Sequence, residues 1–136
     1  MNTATNTAIY ATRYDRHACK IGVVHLGFGA FHRAHQAVYL DDYMQATQDL
    51  NWGIAAVNLR ATESAQFLAA SQDIAQHDGY FLKTISAEGA EVLRRVRSHV
   101  HFADWSQDSS GAEALLARAS VHLVTITVTE SGYYTD

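Results

Sequence analysis

Residues 21–36 read IGVVHLGFGAFHRAHQ, an apolar run that ends on two glycines one residue apart and continues into a helix-compatible segment. A dinucleotide pyrophosphate needs this order of features. Gly27 permits a tight turn off a strand, and Gly29 lets the backbone approach the phosphates without a Cβ in the way. The following helix N-terminus offers unpaired N–H groups to the anion. The stretch therefore predicts nucleotide binding, with His32 standing where the usual fingerprint has a third glycine.

The pattern along the rest of the chain predicts an α/β, Rossmann-like fold, with a mostly parallel sheet and helices on both faces. Strands are expected over residues 21–26, 53–59 and 121–128, and the first two are apolar enough to be buried on both faces. A dinucleotide fold of two halves needs about six strands. We therefore expect the sheet to be incomplete at its C-terminal end.

Two helices are expected between these strands. Residues 30–44 carry an apolar stripe at helical spacing, and residues 61–73 follow the second strand with Thr62 as a candidate cap. The residues of the second helix expected to face inward are Ala65, Leu68 and Ala69.

A β-hairpin is predicted where a plain alternation of strand and helix would place another crossover. Residues 80–86 and 92–96 alternate in polarity and are separated by a short Gly-containing connection. Residues 105–119 follow, with helical character around residues 112–118.

The expected domain organisation is simple. Residues 1–20 form a polar N-terminal arm, and residues 21–136 form the N-terminal part of a dinucleotide-binding domain. At 136 residues the chain has the length of one domain. A substrate or catalytic domain is expected to be absent from it.

Composition narrows the class of partner. The chain has 10 basic and 14 acidic residues, a net charge of −4, which argues against nucleic acid as a partner. Cys19 is the single cysteine, so a reducing compartment fits. No apolar stretch approaches the ~20 residues of a membrane helix, and residues 1–8 lack the features of a signal peptide. A cytoplasmic protein with no membrane partner is the expectation.

Three collinear blocks resemble the mannitol dehydrogenase family of polyol-specific long-chain dehydrogenases/reductases, which includes mannitol 2-dehydrogenase, arabinitol dehydrogenase and fructuronate (mannonate) reductase. The blocks are HLGFGAFHRAHQ at 25–36, WGIAAVNLR at 52–60 and TITVTESGYY at 125–134. The resemblance implies an NAD(P)-dependent oxidoreductase that transfers hydride between a nicotinamide cofactor and a secondary alcohol of a sugar alcohol or hexuronate.

The resemblance also implies that the catalytic lysine, with its asparagine and histidine, lies beyond Asp136. Lys20 and Lys83 are the only lysines here, and neither sits in a resembling motif. The chain alone is therefore expected to be inactive. The alternatives are a non-catalytic nucleotide-binding module or truncated pseudoenzyme, and another Rossmann-like enzyme such as a methyltransferase.

Candidate site residues come from the ends of the three predicted strands. In open α/β sheets, ligands lie beyond the carboxyl ends of the strands. Glu130 is the one candidate for a catalytic role, as a proton relay. The candidate cofactor-binding residues are Gly27, Phe28, Gly29, Ala30, Phe31, His32, Arg33, Asn58, Arg60, Thr127 and Thr129.

The expected cofactor is NAD, with NADP as the alternative. An acid at the end of the second strand usually accepts hydrogen bonds from the ribose 2′-hydroxyl. Here Asn58 is neutral, and Arg60 would attract a 2′-phosphate, so the sequence leaves the choice open. His32 and His35 lie three apart, but no Cys, Asp or Glu nearby completes a ligand set, and no metal is expected.

Overall fold

The structure is a computed structural model that describes residues 8–127. Over this range the strands are Ala8–Ala11 (β1), Ile21–Leu26 (β2), Gly53–Asn58 (β3), Tyr80–Ile85 (β4), Glu91–Val96 (β5), His99–Asp104 (β6) and Leu123–Ile126 (β7). The helices are Ala30–Ala34 (α1), Gln36–Thr47 (α2), Ser64–His77 (α3) and Ser109–Leu116 (α4). Short 3-10 turns occupy Arg16–Ala18 and Ala61–Glu63.

The main sheet has the strand order β6-β3-β2-β7, and all three pairings are parallel. Both faces are covered, because successive residues of β2 point in opposite directions. Val24 packs with Leu115 of α4 on one face, whereas Val23 packs with Ala37 of α2 and with Val96 on the other. The predicted Rossmann-like α/β fold is confirmed.

A second sheet, of order β1-β5-β4, lies beside the first. The predicted hairpin is present as the antiparallel pair β4–β5. The N-terminal segment adds β1, which pairs in parallel with β5. Part of the segment predicted as a polar arm is therefore sheet, because the edge of β5 satisfies its backbone groups.

Strand β6 corrects the sequence analysis, which predicts no strand over residues 99–104. The segment reads HVHFAD, and its two histidines and terminal aspartate obscure the apolar pattern of a strand. His99 is nevertheless 1% exposed. Pairing with β3 determines this strand, and local pattern alone is too weak to reveal it.

The predicted helices also need correction. The helix predicted over residues 30–44 is broken at His35, whose φ of −124° and ψ of −78° are not helical. In α3 the predicted inward face is wrong, since Leu68 is 57% exposed while Phe67 and Ile74 are buried. The inward face is set by Phe67, which packs edge-on against Phe102.

The last described strand is more exposed than a central strand of a buried sheet. Leu123, Val124 and Ile126 are each about half exposed. Among residues 8–127, no other strand pairs with the outer edge of β7. Within the same residues, no helix has the length and apolar character needed to cross a membrane.

Candidate functional site

A cleft of about 530 Å³ opens at the carboxyl ends of β2, β3 and β7. Its walls are the loops that follow β2 and β3 and the first turns of α3. The order of the sheet reverses at β2, since the chain continues to β3 on one side and later to β7 on the other. Such a switch point is where ligands bind in open α/β sheets. Seven of the predicted site residues line the cleft: Gly27, Phe28, Gly29, Arg33, Asn58, Arg60 and Thr127.

The two glycines of the loop after β2, which we call the glycine loop, differ in backbone conformation and in the space around them. Gly27 has a φ of +120°, which side chains rarely adopt, and its N–H donates to the carbonyl of Val57 at 2.7 Å. Gly29 precedes α1 with a φ of −81°, open to any residue, and a Cβ there would meet no atom within 4 Å. Neither backbone nor packing therefore requires glycine at position 29, and the space beside it is empty.

Phe28 fixes the loop through its ring. The ring meets His99 edge-on at 5.0 Å and Phe102 at 5.6 Å, between ring centroids. The guanidinium of Arg33 lies 4.9 Å from the centroid of the same ring. Arg33 makes no ion pair with any carboxylate of residues 8–127. Its charge is therefore held at the cleft without a neutralising partner in that range.

At the end of β3, the side-chain amide of Asn58 is used in hydrogen bonds within the protein. Its Nδ2 donates to the carbonyl of Arg60 at 2.9 Å and to Oδ1 of Asp104 at 3.0 Å. Desolvation acts to raise the pKa of the Asp104 carboxyl, but the hydrogen bonds that Ser106 and Asn58 donate to it outweigh that effect and contribute to a lowered pKa. Asn58 thus holds the loop that carries Arg60, and the Arg60 side chain is exposed at the cleft.

The sequence analysis did not single out the α3 side of the cleft. The cleft residues there are Glu63, Gln66, Phe67 and Ala70. Their spacing of three and four is that of one helical face, and this face follows directly from a strand that ends at the cleft. Helical periodicity could therefore have identified them. Glu63 places a carboxyl group on the same cleft as Arg60.

Three buried histidines lie together behind the glycine loop. The rings of His25 and His32 stack at 3.7 Å between centroids, with 4° between their planes. Nε2 of His32 is 2.9 Å from Nε2 of His99, and Nδ1 of His25 is 2.7 Å from the hydroxyl of Thr125. Burial lowers the pKa of His25 to about 4 and that of His32 to about 3. The pKa of His99 is also lowered, first by burial.

The remaining predicted site residues are placed differently. The His32 side chain is 1% exposed and does not line the cleft. Ala30 and Phe31 do not line it either, and the Phe31 ring is 64% exposed and stacks on His35. Thr129 and Glu130 lie outside the described residues. Among residues 8–127, no three His, Cys, Asp or Glu side chains are placed to hold a metal ion.

Together, the parallel sheet, the left-handed glycine after its first strand and the cleft at the switch point define a Rossmann-type nucleotide-binding domain. Comparison with known families agrees with this class. The family described as mannitol dehydrogenase Rossmann domain matches residues 21–135. The chain belongs to the mannitol dehydrogenase family.

Individual relatives give the same result. Mannitol 2-dehydrogenase of Pyricularia oryzae is 38% identical over 133 residues, covering 96% of this chain and 25% of the relative. Mannitol 2-dehydrogenase of Cereibacter sphaeroides is 33% identical over 123 residues, covering 90% of this chain and 25% of the relative. The chain therefore spans about a quarter of the length of these relatives.

Solved structures share the fold. Pseudomonas fluorescens mannitol 2-dehydrogenase, in a ternary complex with NAD and D-mannitol, has a TM-score of 0.77 and 26% identity, covering 92% of this chain and 25% of that one. A substrate-free D-sorbitol dehydrogenase has a TM-score of 0.79 and 25% identity, with the same coverage.

Proposed function

We propose that this chain is the NAD-binding N-terminal part of an oxidoreductase acting on a secondary alcohol of a sugar alcohol or hexuronate. The observation that carries the proposal is that Gly29 lines the cleft at the switch point of the sheet, with no protein atom within 4 Å of where its Cβ would lie. The NAD and D-mannitol held by the Pseudomonas fluorescens relative support the choice of cofactor and substrate class.

Each part of the cleft has a role in this proposal. Gly27 turns the chain, Gly29 admits the pyrophosphate, and the first N–H groups of α1 and the guanidinium of Arg33 offer donors to it. Ala30, Phe31 and His32 do not line the cleft, and the proposal gives them only the main-chain N–H groups at the start of α1. Thr127 directly follows β7 and lines the cleft, and we propose that it contacts the nicotinamide half of the cofactor. We propose Thr129 as a further cofactor-binding residue.

The cofactor, when bound, supplies the hydride acceptor at C4 of the nicotinamide. In this proposal the residues that line the cleft bind and orient the cofactor. We propose Glu130 as a proton relay. The general base is assigned by family resemblance to a lysine outside this sequence, with an asparagine and a histidine as its companions.

The phosphate-loop assignment predicts that Gly29→Val removes most of the affinity for NAD. The new side chain would occupy the empty space beside α1, and the φ of −81° accommodates valine without strain. We expect a loss of at least tenfold, measured by isothermal titration of the chain with NAD, with an unchanged unfolding midpoint in urea.

The matched control is Gly27→Val, where the φ of +120° makes the change a folding defect. That variant should lower the unfolding midpoint, whereas Gly29→Val should not. Equal NAD affinities for Gly29→Val and the unsubstituted chain would contradict the assignment.

Arg60 and Glu63 should act in opposite directions on the choice of cofactor. Both line the cleft after β3, and only NADP carries a 2′-phosphate. Arg60→Ala should weaken NADP about tenfold more than NAD, because a charge-assisted contact is worth roughly 1.5–3 kcal/mol. Glu63→Gln should strengthen NADP relative to NAD by removing a repelling carboxylate.

Titrating both variants with both cofactors measures the two ratios. Equal losses of NAD and NADP affinity in Arg60→Ala would show that the guanidinium does not face the adenosine ribose. An unchanged ratio of NADP to NAD affinity in Glu63→Gln would show that the Glu63 carboxylate does not act on the choice of cofactor.

A further inference from the structure

A second cavity, of about 540 Å³, lies at the amino-terminal edge of the main sheet. It is bounded by the start of β2 at Ile21, the start of β6 at Val100 and the segment after α4 that contains Ser120. The glycine loop leaves the other end of β2. Since a strand rises about 3.3 Å per residue, the two ends of β2 lie about 17 Å apart. The cavity is therefore separate from the cleft and shares no lining residue with it.

The lining of this cavity is basic. Its basic residues are Arg16, His17, Lys20, His101 and Arg118, and no carboxylate side chain lines it. The whole chain has a net charge of −4, so this concentration of basic groups is opposite in sign to the rest of the molecule. Cys19 adds no negative charge near neutral pH, because burial raises the pKa of its thiol to about 11.

The basic side chains of the cavity differ in whether they are already paired within the protein. Arg16 is 9% exposed, and it donates from Nε and Nη2 to the carbonyl of His99 at 3.0 and 2.7 Å. Its Nη1 lies 3.7 Å from Asp78. By contrast, Lys20 and Arg118 are exposed and make no ion pair with any carboxylate of residues 8–127.

We propose that this cavity binds a small anion that carries a phosphate group. Lys20 and Arg118 line the cavity and supply charge-assisted donors, and the Ser120 hydroxyl and the His101 imidazole add further hydrogen-bonding groups. The volume is that of a small-molecule site, and its concave shape favours a compact ligand over an extended polymer. The proposal is independent of what the cleft at the other edge binds.

His101 provides a local reporter of occupancy. Burial and the charge of Arg118 lower the pKa of its imidazole. A phosphate dianion beside Arg118 would offset that charge, so binding should raise the pKa of His101. The histidine ring signals of the labelled chain, followed by NMR against pH with and without millimolar inorganic phosphate, measure this change.

The affinity is tested by titrating the chain with inorganic phosphate and, separately, with glycerol 3-phosphate, at constant ionic strength maintained with sodium chloride. We expect saturable binding that Arg118→Gln and Lys20→Gln each weaken about tenfold, as loss of one charge-assisted contact would. The matched control is Lys83→Gln, which removes an exposed lysine of the second sheet and should leave the affinity unchanged.

The titrations have results that support the anion site and results that contradict it. Tighter binding of glycerol 3-phosphate would identify an organic phosphate as the ligand, and equal binding would identify the phosphate group alone; both support the site. The absence of saturation, the same affinity in Arg118→Gln and Lys83→Gln, or displacement of phosphate by NAD would overturn it. Displacement by NAD would place the anion in the cleft.

Discussion

Replacing Asp41 with alanine is expected to destabilise the fold by about 3–5 kcal/mol, the cost of breaking a buried ion pair from one side. Asp41 is fully buried on α2. Its carboxylate accepts hydrogen bonds from the hydroxyls of Thr12 and Tyr14 and from Nη2 of Arg94, the last at 2.8 Å. These partners belong to the N-terminal segment and β5, so one carboxylate joins both to α2. Alanine would leave the Thr12 and Tyr14 hydroxyls without this acceptor, and it would leave the mostly buried Arg94 guanidinium with the exposed Asp42 as its only carboxylate partner among residues 8–127.

Asp42 offers the matched control, because Nη2 of Arg94 donates to its Oδ1 at 2.7 Å as well. The Asp42 side chain is 53% exposed, however, and exposed ion pairs contribute about 0–1 kcal/mol. We expect Asp42→Ala to change the free energy of unfolding by less than about 1 kcal/mol. Urea unfolding of both variants measures the difference, and similar losses would show that burial does not decide the strength of this network.

The second large effect is a loss of stability in mild acid. The pKa of His25 is about 4 and that of His32 is about 3 in the folded chain, against an ordinary value of 6.5. Between these values the unfolded chain binds more protons than the folded one, so stability falls as the pH falls. Each histidine kept neutral costs about 1.4 kcal/mol per pH unit. With His99, whose pKa is also lowered, the slope should reach about 4 kcal/mol per pH unit below pH 6.

Urea unfolding at a series of pH values from neutral down to about 4 measures this slope. His25→Gln should reduce it by about one third, because only two neutral buried imidazoles remain. His17→Gln removes an exposed imidazole and should leave the slope unchanged. A slope that is the same in all three chains would show that the buried histidines are not the cause of acid sensitivity.

Local sequence was sufficient to predict the strand and the turn of the glycine loop. The apolar run at residues 21–26 and the turn at Gly27 were predictable, because strand burial and a positive φ leave a signature in adjacent residues. The second strand was predictable from its burial, and the hairpin was predictable from alternating polarity on either side of a short Gly-containing connection. The predicted helix over residues 30–44 was less accurate, since the break at His35 leaves no proline or glycine to mark it.

The candidate site was predictable only in part. The loop residues and Arg60 were found because they follow strands directly. The hydrogen bond from Asn58 to Asp104 was not predictable, since the two residues are 46 positions apart along the chain. Glu63, at the end of the 3-10 turn before α3, and Phe67, within α3, could have been found from helical spacing, but the apolar stripe indicated a different face.

The order of neighbouring residues was enough to predict the strand–glycine–helix unit at residues 21–36 and to identify the family to which the chain belongs. Long-range packing, by contrast, buries His32 against His25 and His99, so that it does not line the cleft. Long-range contacts also decided that residues 99–104 form a strand and that Asp41 joins the N-terminal segment to β5. These features depend on contacts between residues far apart in sequence, where burial and pairing energies outweigh local preference.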